Sequence, residues 1–219
     1  EAQQAVVEDY WEQAAVPALN RLGIAPVGVF KELEATEEAA IPRILVLIPY
    51  TTLEQFDGLD AKLAQDAAYQ KAAAPYLNAA KDAPAYARIE SNLLQALDVK
   101  PLLQIPDTSK PRIFEMREYQ GHSETANALK IAMFNDAEAD IFAEAGLTAV
   151  FFSKTLIGKN RPSLFYMVTF DDLADHEKDW GAFRENPRWA AIRQEPKYAD
   201  GGVSARSVYM LQPARGSQI

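Results

Sequence analysis

The chain has 219 residues, room for one large or two small domains, and its 48% apolar and 24% charged content excludes wholesale disorder and fibrous repeats. A net charge of -9, from 22 basic and 31 acidic residues with no long Lys/Arg run, argues against nucleic acid as a partner. The absence of cysteine excludes disulfides, zinc ribbons, thiol nucleophiles and iron-sulfur clusters, and apolar runs such as Ile44–Ile48 fall far short of the roughly 20 residues of a membrane-spanning helix. No compartment follows from these properties.

The chain opens on Glu1 rather than methionine, so a preceding segment is expected. Residues 5–22 read as a helix, because Val7, Trp11, Ala14, Ala18 and Leu22 form an apolar stripe at helical spacing. Gly23 ends it, and a β-branched and aromatic run follows to Phe30. Ile41–Phe56 carries a proline, an apolar strand and a helix start, Asp66–Leu77 a helix, and Tyr86–Leu97 a closing strand.

After the segment IPDTSKP, Arg112–Tyr119 (RIFEMREY) alternates like a strand. A helix is expected from Ser123, its N-cap, to Ala145, with Gly146 in the position after the C-cap. Thr148–Lys154, the turn GKNRP and Leu164–Phe170 make a hairpin. Asp171 is a candidate N-cap for the next helix, and SARSVYML closes the chain's last strand.

The two halves can be overlaid. Gly23 and Gly146 lie 123 positions apart, while Pro42 over Pro162, Leu53 over Leu173 and Tyr69 over Trp189 hold an offset of 120. Each half reads as strand, helix, strand, strand, helix, strand, although the first half shows no counterpart of RIFEMREY. That strand is expected upstream of Glu1 or is missing. The predicted fold is therefore α+β: two tandem ferredoxin-like (βαββαβ) units, residues 1–107 and 108–219. The units' antiparallel sheets would pack face to face as a pseudo-dimeric α/β barrel around a cavity.

The strand FEMREY resembles the opening Glu-Leu-Arg-x-Tyr strand of the NIPSNAP family, a member of the dimeric α/β-barrel group. The passage FAEAGLTAVFF and the block LFYMVTFDDLADHEKDWGAFRENPRW carry the same resemblance, which covers the second half well and the first half more loosely. It implies a fold and a cavity without a reaction, since members of that family are of unsettled biochemical function. The wider group includes small monooxygenases and haem-handling enzymes. This chain has only His122 and His176, neither in an axial-ligand context, so no cofactor is expected.

Alternation in RIFEMREY places Glu115, Arg117 and Tyr119 on one face and Phe114 and Met116 on the other. The apolar pair is assigned to the helix-covered face, leaving Glu115, Arg117 and Tyr119 to line the inter-sheet cavity. Glu115 and Arg117 can then be a structural ion pair or a polar anchor for an anionic or carbonyl ligand. The overlay sets Arg206 at the position of Arg88, which shares a predicted strand face with Glu90 and Asn92. Equivalent arginines suit a symmetric cavity as well as two solvent-facing strands. Tyr166 joins these cavity candidates from an aromatic run that otherwise reads as core.

His122 lacks a nucleophile and an orienting carboxylate at defined spacing, and His176 is expected on a helix surface, without zinc-site spacing. No nucleophile elbow, phosphate loop or dinucleotide fingerprint is present, and no carboxylate pair stands out as an acid/base couple. Catalytic residues are therefore not assigned and no metal site is expected. In FRENPRWAAI, Asn186 followed by Pro187 reads as N-cap and first helical residue. Trp189, like Tyr69, is a packing anchor, Ile192 shares its buried side, and Arg184, Glu185 and Arg188 face solvent.

Three functional expectations result. The first is a binding protein for a small, partly apolar ligand in the inter-sheet cavity. The others are a cofactor-independent monooxygenase or isomerase with Tyr119, Arg117 or His122 as acid/base groups, and an interaction module whose outer helices dock a partner or a second copy in a homo-oligomer.

Overall fold

The structure, a computed structural model, describes residues 2–33 and 43–219; Pro42, a proline of the repeat, lies outside them. The chain divides into Glu1–Ile89 with Gln212–Ile219, and Glu90–Leu211.

The first unit opens on helix α1 (Ala2–Tyr10), which passes through a π-turn (Trp11–Ala15) into α2 (Val16–Arg21) without leaving right-handed helical backbone. The π-turn accommodates one extra residue and so rotates everything after it. Ala14, Ala15, Val16, Ala18 and Leu19 are consequently the buried positions, while Val7, Trp11 and Leu22 of the expected stripe are only half-buried. Gly23, at φ 75°, terminates the helix: its N–H donates to the Asn20 carbonyl and that of Ile24 to the Leu19 carbonyl, closing a Schellman motif.

Strand β1 (Gly28–Glu32) then pairs antiparallel with β2 (Ile44–Leu47). Helices α3 (Leu53–Asp57), α4 (Leu59–Gln65) and α5 (Ala67–Leu77) follow. Asp66 caps α5 by accepting the Tyr69 N–H at 2.9 Å and holds Arg21 at 2.5 Å. Tyr69 is buried, its hydroxyl 2.9 Å from that of Tyr10. The C-terminal residues belong to this unit: Val27 and Val29 donate their N–H groups to the side chains of Gln218 and Ser217, and Arg215 reaches Glu8, Asp9 and Glu12.

The second unit contains β3 (Leu93–Ala96), β4 (Ile113–Gly121), β5 (Thr148–Ile157), β6 (Ser163–Phe170) and β7 (Val203–Pro213, its last two residues in the first unit), ordered β7-β4-β6-β5-β3 and all antiparallel. Between β4 and β5 run α6 (Glu124–Met133), a π-turn (Phe134–Glu138) and α7 (Ala139–Glu144); between β6 and β7 run α8 (Leu173–Glu185), α9 (Pro187–Ile192) and a 3-10 turn (Pro196–Tyr198). Leu164, Tyr166, Val168 and Phe170 of β6 pack with Phe134, Phe142, Trp180 and Phe183 of the helices in one core.

Ser123 caps α6 as expected, accepting the Ala126 N–H at 3.1 Å. Gly146, at φ 90°, repeats the Schellman pattern through Gly146 to Ala143 and Leu147 to Phe142. In each unit the π-turn ends eight residues before that glycine, at Ala15 and at Glu138. The two halves thus share a helical irregularity that no residue pattern announced.

Two local expectations are corrected. The strand expected over Tyr86–Leu97 forms only at Leu93–Ala96 and pairs with β5, because residues 86–92 are exposed and have no ladder partner. The cap of α8 is Asp172 rather than Asp171: it is Asp172 whose carboxylate accepts the Asp175 N–H, at 2.9 Å. Asn186 caps α9 ahead of Pro187, accepting the Arg188 N–H at 2.8 Å. Ile192 is buried, Trp189 half-buried against Phe183, and Arg184, Glu185 and Arg188 are exposed.

Candidate functional site

Glu115, Arg117 and Tyr119 share one face of β4, but it is the face under the helices. Directly opposite residues on β6 are Val168, Tyr166 and Leu164, all core positions beneath α6 and α8. The expected orientation is reversed because α8 supplies hydrogen-bond donors: Trp180 Nε1 donates to Glu115 Oε2 at 2.5 Å, and His176 Nε2 lies 2.9 Å from the same oxygen. Phe114, Met116 and Glu118 take the other face, where Glu118 is buried and accepts from Asn160 at 2.9 Å.

From Glu115 the network continues through the Arg117 Nε donor at 2.5 Å, Arg117 Nη1 to the Tyr119 hydroxyl at 3.2 Å, and Tyr119 to Tyr166 at 2.7 Å. The Arg117 guanidinium also stacks on Trp180, Cζ 3.8 Å from the ring centroid. Burial draws the Arg117 pKa down, but Tyr166, Glu115 and Tyr119 more than offset this and hold it above its ordinary value, so the group is a permanent cation. Burial, then the Tyr119 neighbour, pushes the Tyr166 phenol far above its ordinary pKa and keeps it neutral. His176, expected on the outside of its helix, is instead a half-buried member of this network.

A second polar pair lies in the same core. Lys130 Nζ donates to Glu138 Oε2 at 2.6 Å and stands 5.0 Å from the Phe134 ring and 5.3 Å from that of Trp189. Eight residues of α-helix would leave these side chains about 80° apart. The extra residue of the π-turn removes about 100° and aligns them. Burial raises the Glu138 carboxyl pKa, opposed by Lys130.

The remaining candidates are dispersed. Arg206 faces the same side of the sheet as its cross-strand neighbour Tyr119, but on a bare, exposed part of β7. Arg88 is exposed and donates to the neighbouring Ala87 carbonyl; Glu90 is exposed and lies 3.6 Å from Lys159. Neither sits on a strand. His122 is exposed in the bend before α6.

The residue pattern also left unmarked an open surface cleft of about 350 Å³ between α6 and the hairpin of β5 and β6. Asn127, Ala128 and Ile131 form its helical wall, Lys154, Thr155 and Leu156 its strand wall, with Arg161 and Pro162 of the turn and Glu124 at its edge. This volume lies within the range of small-molecule sites. Among the described residues, no cluster of His, Asp and Glu could hold a metal ion, and no helix is long and apolar enough to cross a membrane.

A five-stranded antiparallel sheet with paired helices on one face defines an α+β protein of the dimeric α/β-barrel fold group. The whole chain is similar in fold to a protein of Lactobacillus acidophilus provisionally named a monooxygenase (TM-score 0.60, 8% identity, 100% of this chain and 92% of that one). It is also similar to one so named from Fusobacterium nucleatum (TM-score 0.57, 11% identity, 97% and 85%). Residues 114–215 match the NIPSNAP family model. A NIPSNAP family protein of unknown function from Agrobacterium tumefaciens is 20% identical over 49% of this chain and 93% of its own, with a TM-score of 0.44. Among curated proteins no match is found.

Proposed function

We propose that the chain is a binding protein for a small, partly apolar molecule, held by the second unit between α6 and the β5–β6 hairpin. The cleft of about 350 Å³ carries this proposal, with Ile131 and Leu156 offering apolar wall and Lys154, Arg161 and Asn127 polar groups. The Glu115, Arg117, Tyr119 and Tyr166 network is internally satisfied, and its role is to hold β4 against α8. A thermal-shift screen of metabolites against the intact chain tests the proposal. Hits that vanish when Ile131→Trp fills the cavity support it, and an unchanged hit pattern in that variant refutes it.

One observation favours a second reading, acid/base chemistry of the kind the provisionally named monooxygenases suggest: the half-buried His176 is oriented by the buried Glu115 at 2.9 Å. Oxygen consumption or isomer formation over a panel of quinols and aldehydes would reveal it. Turnover that stays at background, unchanged in Arg117→Ala, removes it. The tandem division at residues 107 and 108 is likewise proposed as the boundary between two copies of one ancestral unit.

A further inference from the structure

The charge pattern of the α6/β5 cavity narrows its ligand, resting on the binding function proposed above. In a chain of net charge -9, most walls would be expected to repel an anion. Here Lys154 on β5 and Arg161 in the following turn both line the cavity, and neither makes an ion pair or hydrogen bond through its side chain among the described residues. Glu124 sets one carboxylate against these two cations, leaving a net positive wall. The Asn127 amide is an additional donor from α6.

The rest of the lining is apolar: Ala128 and Ile131 on the helix, Leu156 on the strand. At about 350 Å³ the cleft stands at the small end of the range of ligand sites, so its occupant is a small molecule. A bare inorganic anion would leave this apolar surface unused, and a neutral hydrocarbon would leave two cations without a counter-charge. A planar carboxylate suits both halves, since guanidinium can grip it with two parallel N–H donors and ammonium adds a point charge.

We infer that the cavity takes a small organic monocarboxylate, its apolar body against Ile131 and Leu156 and its carboxylate between Lys154 Nζ and the Arg161 guanidinium. Isothermal titration of the intact chain at low salt, with benzoate and hexanoate against benzamide, hexanamide and inorganic phosphate, tests it. The acids should bind at least about tenfold tighter than the matching amides and than phosphate, the ratio expected for a charge-assisted contact. The double variant Lys154→Gln/Arg161→Gln should erase that preference while melting like the parent.

Equal affinity for acids and amides in the parent overturns the carboxylate inference and leaves small-molecule binding standing. Phosphate binding as tightly as the acids also overturns it. Acid binding that survives Ile131→Trp places the ligand elsewhere and overturns both this inference and the proposed site. The absence of binding by every probe, together with a blank metabolite screen, overturns the binding function itself.

Discussion

Glu115→Gln keeps the shape of the most buried carboxylate in the second unit and removes its charge. Arg117 Nε and Trp180 Nε1 each approach it at 2.5 Å and His176 Nε2 at 2.9 Å, so its two oxygens meet three ring or guanidinium nitrogens. Glutamine has one acceptor oxygen, and its NH₂ group must oppose either Arg117 or the pair from α8, donor against donor. Removing one member of a buried ion pair costs about 3–5 kcal/mol. Arg117 keeps 15% side-chain exposure and its bond to Tyr119, which places the loss near the lower end, about 3 kcal/mol. For a chain of this length that is a fall of about 6–12 °C in melting temperature. Differential scanning calorimetry reads the loss, and near-UV circular dichroism follows the Trp180 environment. Replacing Glu115 and Arg117 together by leucine should recover most of it, because no charge is then left buried alone. If Glu115→Gln melts within about 1 °C of the parent, the carboxylate does not hold β4 to α8 and the reasoning is wrong.

Other consequences follow from single contacts. Gly146→Ala should destabilise by about 2 kcal/mol, since φ is 90° and a Cβ would stand 2.9 Å from the Asp179 carboxylate; urea unfolding measures it. Trp189→Ala should lose about 2 kcal/mol in the same assay, below the usual range for a buried tryptophan, because its ring packs on Phe183 but is only half-buried. The Asp66 carboxyl is held below its ordinary pKa first by the Tyr69 N–H and then by Arg21. With the folded value the lower one, its stabilisation is present above the unfolded pKa and lost as pH falls through the folded value. Asp66→Asn should therefore flatten the acid side of the melting-temperature profile, while an unchanged profile would count against the assignment.

Much of the second unit is legible one segment at a time. The period of two in FEMREY correctly groups Glu115, Arg117 and Tyr119, and the caps at Ser123 and Asn186, the turn GKNRP and the glycine at 146 are local signals with local causes. Which way that polar set points is not local. Its donors, His176 and Trp180, lie 61 and 65 residues downstream of Glu115, and until α8 is packed on the sheet neither face of β4 is the obvious buried one. The same limit hid the role of His176. It also hid the α6/β5 cavity, whose walls join Asn127 and Ile131 to Lys154 and Arg161 only in three dimensions.

In the first half the misplaced strand has the same origin. Tyr86–Leu97 has strand-like residues, yet a strand exists only where another strand completes its hydrogen bonds, and β5 does so only from Leu93 onward. The π-turns are a one-residue insertion that leaves no mark in composition, although they decide that Ala15 and Val16 are buried and that Lys130 meets Glu138. The amino-acid sequence by itself determined the order of elements, their caps and the sharing of faces, because these depend on backbone periodicity and neighbouring side chains. The tertiary structure alone decided which face is buried, which charges are paired and where a cavity remains, because each depends on donors, acceptors and volumes brought together from distant parts of the chain.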